Sequence, residues 1–376
     1  MSTSTTPRTD KTDDPTPPPG RAPVTEVSGR RQITAGTIFG SRLFWPVVML
    51  LALFTVNLIA FPGFFSLTIK NGQLFGSLVD ILRNGAPTLI IAVGMTLVIA
   101  TRGIDLSVGA VCAISGAVSC AIILGSPDPG NVGVVAVAVL VAVLIALVLG
   151  VWNGVLISVF GIQPIIATLI LMTAGRGVAM LITEGQILTV QSAPFKALGS
   201  GVVLGVPIAI VVAAVIFAFA AVITRRTALG MLIEAVGINP EASRQAGVRA
   251  TGLRIVVYAF CAVCAAIAGI LLTANQTAAD ANNTGLFIEL DAILAVVIGG
   301  TSLAGGRYSL VGTLVGALVI QTLVTTVYTV GIPPIATMVF KAVVVTIVCL
   351  LQSPTTSAVI ASWRRPSATR VGKGVA

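Results

Sequence analysis

The sequence predicts an all-α polytopic membrane protein of about ten transmembrane helices. Hydrophobic residues make up 56% of the 376-residue chain and charged residues only 9%, against about 25% charge in a soluble domain. Apolar runs recur at the length a bilayer demands, about 20 residues rising about 1.5 Å each. The third observation is an exception to both: residues 225–254 hold Arg225, Arg226, Glu234, Glu241, Arg244, Arg249 and Arg254. So polar a segment between spans belongs in water. Its basic excess places it on the cytoplasmic side.

The segments follow in order. Residues 1–42 are rich in Thr, Pro and Ser and lack an apolar run, so they read as a disordered cytoplasmic tail. The membrane domain is expected over 43–352, with spans near 43–61, 85–101, 104–124, 132–158, 162–183, 203–224, 254–274, 290–304, 309–330 and 335–352. The first reads as a retained helix, since many spans follow it. The eighth is short and interrupted by glycine, which suggests a re-entrant segment. Six crossings from a cytoplasmic start return residue 225 to the cytoplasm. Four more leave the basic tail 353–376 there too, so both termini are expected in the cytoplasm. Two echoes suggest an inverted repeat: Gly161-Ile-Gln-Pro164 beside Gly331-Ile-Pro-Pro334, and Asp105 beside Asp291 at the starts of spans three and eight.

Composition also excludes functions. The chain has no histidine, which removes histidine acid–base catalysis and most zinc sites. The net charge of +9 sits beside apolar spans and speaks for topology rather than nucleic-acid binding. Cys112, Cys120, Cys261, Cys264 and Cys349 all fall in apolar runs, so Cys261-x-x-Cys264 reads as helix packing. No Walker loop occurs: Gly300 to Arg307 lacks the Lys-Ser/Thr pair that would hold phosphate and magnesium. No catalytic residue and no metal site are expected.

Within the polar island, Asn239-Pro240-Glu241 is a helix start: an N-cap, a first-turn proline and an early acid. Gly247 is a natural stop. A helix of about seven residues cannot persist alone, so it rests on its own membrane domain or serves as a docking element. Buried polar residues in apolar spans mark partners or a pathway. Asp105, Asn153, Gln163, Thr168, Thr173, Arg176 and Asp291 are the candidates. Ser107 and Asp105 could instead cap span three, and Asn153 could bond a neighbouring helix. The loops 184–200 and 275–289 are expected to face the periplasm, with Asp280, Asn282 and Asn283 as docking candidates.

Glu241-Ala242-Ser243 followed by Gly247 resembles the Glu-Ala-Ala…Gly loop of ABC importer permeases, with Ser243 in the third place. GMTLVIATRGIDLSVGAV (94–111), GIQPIIATLILMTAGRGVAMLITEGQ (161–186) and ELDAILAVVIGGTSLAGG (289–306) are similar to the ribose/xylose/galactose-type sugar permeases. GQLFGSLVDIL (72–82), RRTALGMLIEAVGIN (225–239) and ADANNTGLFIELDAIL (279–294) look most like the galactofuranose branch of that group. The resemblance implies a translocating subunit that is not itself an enzyme. ATP and magnesium would sit on a separate cytoplasmic ATPase. A second permease, paralogous or identical, would complete the path, and a periplasmic or lipid-anchored binding protein would deliver the sugar. Asn239, Pro240, Glu241, Ala242, Ser243 and Gly247 would form the coupling element. Arg102 stands where that family has glycine; it reads as a positive-inside residue, an Asp105 partner or a motor contact. An ion-coupled transporter of a small polar solute is the alternative. It would want an ionisable residue in mid-membrane, whereas the carboxylates here read as lying at span ends or in loops.

Overall fold

The computed structural model describes residues 43–70, 72–333 and 336–352. The expected tails 1–42 and 353–376, together with Pro334 of the second echo, lie outside them. The helices are α1 (Phe44–Ala60), α2 (Ser77–Ala100), α3 (Val108–Leu124), α4 (Val132–Ser158), α5 (Pro164–Ile182), α6 (Ala193–Ser200), α7 (Ile208–Arg226), α8 (Ala228–Ile238), α9 (Pro240–Gln245), α10 (Ala250–Gln276), α11 (Ile288–Ile298), α12 (Leu310–Thr329) and α13 (Thr337–Gln352).

Each expected span has a helix, but the count of ten is not reproduced by length. Among the described residues six helices, α2, α4, α5, α7, α10 and α12, are long and apolar enough to cross a membrane. α1 and α3 have 17 residues, α13 has 16 and α11 only 11. At about 1.5 Å per residue α11 reaches roughly half a bilayer. It closes at Gly299-Gly300 because Gly300 turns left-handed, at φ +86°.

α10 is the central helix, and glycines bring its neighbours against it. A Cβ on Gly150 of α4 would lie 2.8 Å from the Ala259 Cα. One on Gly94 of α2 would lie 2.8 Å from the Cys261 Cα. With no hydrophobic drive between helices in lipid, such close backbone approach supplies the packing. Cys261 and Cys264 are buried and free, which fits the packing reading. α4 shows the converse face. It buries Val135, Ala138, Ala142, Ala146, Gly150, Asn153, Gly154 and Ile157, a small-residue stripe at helical spacing. Leu140, Leu144 and Val148 are exposed on the side left for lipid.

Among the described residues, strands are confined to pairs of residues or triplets. Of these, Leu188–Thr189 pairs antiparallel with Ala278–Ala279. That ladder joins the two loops expected to share a face. Part of the first loop is helical, since Ser192 caps α6 and Phe195 is fully buried.

One correction concerns the island. Residues 228–238 form α8, a mainly apolar helix that buries Gly230, Ile233, Val236 and Gly237, so within this stretch of the island Glu234 is the one charged residue. The echo of Gly161 and Gly331 has matching backbone: both are left-handed, at φ +70° and +80°, and each follows the end of a helix.

Candidate functional site

α9 forms as its punctuation demands. The Asn239 carboxamide oxygen accepts from the N–H groups of Glu241 at 3.1 Å and Ala242 at 3.0 Å. Pro240 occupies the first position, where it has no N–H to lose. Gly247, at φ +83°, ends the helix, and Val248 N–H donates to the Ser243 carbonyl at 2.9 Å. The result has six residues rather than seven. Ser243 is buried and faces the bundle, while Glu241 and Arg244 pair at 2.8 Å in solvent. The Arg244 hydrogen bond and its charge hold the Glu241 carboxyl below the usual range. α9 therefore rests on its own bundle on one side and presents a charged side outward.

Arg102 lies directly behind it. Its backbone is left-handed at φ +64°, a conformation glycine adopts freely and arginine does not. The side chain does not reach Asp105. Its Nε donates to the Gly237 carbonyl at 2.6 Å, and a terminal nitrogen donates to the Ile238 carbonyl. These carbonyls end α8, immediately before the cap of α9, where a cation meets the negative end of the helix dipole. Gly306 N–H also donates to the Ala100 carbonyl at 2.9 Å. The ends of α2 and α8 and the loop before α12 thus meet at one junction. The signal available in sequence was an arginine at a family glycine.

Asp105, Ser107 and Asn153 form one chain. Asp105 Oδ1 accepts from Ser107 N–H at 2.9 Å and from Ser107 Oγ at 2.6 Å. Asn153 Nδ2 donates to Ser107 Oγ at 3.0 Å. This ties α4 to the extended stretch before α3. Thr168 joins it: its hydroxyl bonds Pro164 O at 2.9 Å and lies 3.4 Å from Ile104 O. Asp105, Asn153 and Thr168 are all fully buried. Thr173 stands apart, exposed on α5 and bonded to Leu169 O at 3.1 Å and Ile170 O at 3.0 Å.

A second assembly surrounds the start of α11. Arg176 Nη1 donates to Ala281 O at 2.9 Å and Thr284 O at 2.7 Å, so it is satisfied by loop carbonyls. A side chain on Gly109, at the start of α3, would strike the Glu289 carboxylate and the Gly285 carbonyl. The two short helices therefore begin against each other. Interrupted helices that meet inside a bundle are where transporters build their pathways. Glu289 is buried with Oε2 unpartnered; it and Asp105 stand at span ends, as expected, but both ends are buried. An α3 that starts deep in the bundle explains it.

Asp291 pairs with Lys341 of α13 at 2.7 Å, both side chains 21% exposed. Lys341 was missed, although a lysine amid MVFKAVVV is the kind of costly mid-span charge that implies a partner. A cavity of about 190 Å³, lined by Thr88, Gln276, Asn283, Thr284 and Asp291, joins a pathway candidate to a docking candidate. Asp280 is half-buried and organises the exposed Asn282 and Asn283. It accepts from their N–H groups at 2.9 and 3.2 Å and from Asn283 Nδ2 at 2.6 Å. Gln163 lies at the opposite end, in a cavity with Arg102 and Arg254.

The chain is similar to known permeases along most of its length. Residues 77–349 match the family described as "Branched-chain amino acid transport system / permease component". The galactofuranose transporter permease protein YtfT of Escherichia coli (strain K12) is 48% identical over 83% of this chain and 91% of its own length. The fructose import permease protein FruF of Bifidobacterium longum (strain NCC 2705) is 40% identical over 89% and 94%. The ribose import permease protein RbsC of Escherichia coli (strain K12) is 37% identical over 87% and 98%. No solved structure matches the chain. With the family matched from α2 into α13, and relatives aligned over more than nine-tenths of their lengths, the chain belongs to this family of membrane permease components.

Proposed function

We propose that the chain is the translocating subunit of an ATP-driven importer of a monosaccharide, galactofuranose first among them, in a bacterial inner membrane. The observation that carries the proposal is α9. It is a capped, outward-facing helix joined through Arg102 and α8 to the ends of α2 and the loop before α12. A separate ATPase would grip it through the Glu241–Arg244 side, with residues 225–254 and both tails in the cytoplasm. Closure of the ATPase would displace α9, and the shared junction would pass that movement to the elements that flank the interrupted helices.

Asp105, Asn153 and Thr168 hold the start of α3, and Arg176 holds the loop before α11. Their role is to keep the interruptions in shape. The Asn283–Asp291 cavity is the better place for sugar hydroxyls, completed by a second permease subunit. Asp280, Asn282 and Asn283 form the surface for a sugar-binding protein. The chain itself hydrolyses nothing; ATP and magnesium would be held by the partner.

Sugar uptake into vesicles tests the reading. Deletion of 239–247 should leave an inserted protein that no longer copurifies with its ATPase and no longer imports. Uptake that survives removal of the ATPase would sink the proposal in favour of an ion-coupled carrier. Calorimetry of the cognate binding protein against galactofuranose, fructose and ribose identifies the sugar.

A further inference from the structure

We propose that the cavity at the α9 end of the bundle is a binding site for a phosphate group. It has a volume of about 230 Å³, and its lining includes Arg102, Arg254, Gln163, Thr101 and Tyr258. Phosphate binding here does not require the coupling proposed for α9, although Arg102 belongs to both.

Charge makes the first argument. Arg102 and Arg254 are among the lining residues, and no Asp or Glu is. Arg254, one turn into α10, has its Nε buried without a partner. Arg102 spends Nε and one terminal nitrogen on the α8 carbonyls, which leaves the other terminal nitrogen. Arginine is the side chain best matched to phosphate oxygens.

The second argument is the wall opposite. The 19-residue helix α5 starts at the cavity, where Gln163 and Pro164 are lining residues, and the Gln163 side chain does not cap it. The dipole of this helix favours an anion there, although Pro164 brings no N–H and the Ile166 N–H already donates to the Gln163 carbonyl. The third is Tyr258. It is 1% exposed, its hydroxyl has no hydrogen-bond partner, and it lines the same cavity. An orphaned buried hydroxyl is costly, and an oxyanion would accept from it.

The carboxylate that acts on Tyr258 is Asp105, whose Oδ1 accepts from Ser107 and whose Oδ2 has no partner. Two guanidinium charges and a helix N-terminus, equivalent to about half a charge, exceed it. The phosphate could belong to an anionic phospholipid or be free in solution.

The test uses the full chain in nanodiscs, as the native protein and as Arg254→Gln, Tyr258→Phe and, as a control outside the cavity, Arg226→Gln. One arm uses discs containing phosphatidylglycerol and native mass spectrometry. Retention of one such lipid by the native protein and by Arg226→Gln, but not by Arg254→Gln, assigns the phosphate to lipid. The other arm uses phosphatidylcholine discs and follows the melting temperature against inorganic phosphate, with chloride at equal ionic strength. Stabilisation of the native protein, with apparent affinity about tenfold weaker in Arg254→Gln, assigns it to free phosphate. Tyr258→Phe, which preserves the shape, should weaken whichever ligand binds by a smaller factor. No retention and no stabilisation in the native protein, or equal effects of Arg254→Gln and Arg226→Gln, overturns the proposal.

Discussion

Asn239→Ala isolates what the cap of α9 contributes. The Asn239 oxygen satisfies two first-turn donors, Glu241 N–H and Ala242 N–H, and Pro240 has none. Loss of an N-cap costs about 1 kcal/mol, within a range of about 0.5–2. One kcal/mol is about a fivefold change in an equilibrium. A six-residue helix has no stability of its own to absorb that loss, and its outer face is solvent, so the cost should appear locally as fraying. Amide hydrogen exchange at Ser243, Ala246, Gly247 and Val248, whose N–H groups close the helix, should quicken about fivefold while α10 is unchanged. If an ATPase binds only the ordered helix, its affinity should fall by no more than that factor. Asn239→Ser keeps a capping oxygen and should stay near the native rate. Unchanged exchange in Asn239→Ala, or equal acceleration in Asn239→Ser, would refute the argument.

Other outcomes follow from the same packing. Arg102→Gly suits the left-handed backbone but removes two links to α8, so the fold should survive while sugar carried per ATP hydrolysed falls several-fold; an unchanged ratio removes Arg102 from the coupling path. Gly316→Ala places a Cβ 2.8 Å from the Ala295 carbonyl carbon, where backbone cannot yield, so the melting temperature should drop by an amount equivalent to about 1–3 kcal/mol. Asp291→Asn strands the Lys341 charge. Because both side chains keep some water, the loss should fall below the about 3–5 kcal/mol of a fully buried pair, and Lys341→Gln on the same background should recover most of it in a double-mutant cycle. Asp280 is held below its ordinary pKa, first by the Asn283 amide and then by backbone N–H groups. A depressed carboxyl stabilises fully above its unfolded value near about 4 and loses that contribution as pH falls through the lower native value. Exchange at Asn282 and Asn283, corrected for intrinsic rate, should be flat from neutral pH to about 5, rise only in stronger acid, and lose that step in Asp280→Asn.

How much was legible depended on the range of the interaction. The cap and stop of α9 are local, set by Asn239, Pro240 and Gly247 within a few residues of one another, and the structure has them where the sequence placed them. α8 was obscured because charge at Arg225, Arg226 and Glu241 dominated the reading of an apolar helix between them. For Arg102 the sequence offered Asp105 as a partner by nearness alone, while its acceptors are Gly237 and Ile238, 135 and 136 residues away. Lys341 was overlooked because its partner sits 50 residues earlier.

The sequence by itself determined that the chain is a helical membrane protein, which segments are apolar, where the polar island falls and how α9 begins and ends. It also carried the family in long motifs. Each of these depends on composition, periodicity or a few adjacent residues. Only the tertiary structure decided that α3 and α11 begin against each other at Gly109 and Glu289, that Arg176 is satisfied by the carbonyls of Ala281 and Thr284, and that Arg102 and Gly306 join α2, α8 and the loop before α12. Those arrangements rest on close backbone approach through glycines and on side chains reaching carbonyls far away in the chain. Apolar helices offer many near-equal ways to pack, and a sequence pattern specifies a helix face without naming the helix it will meet.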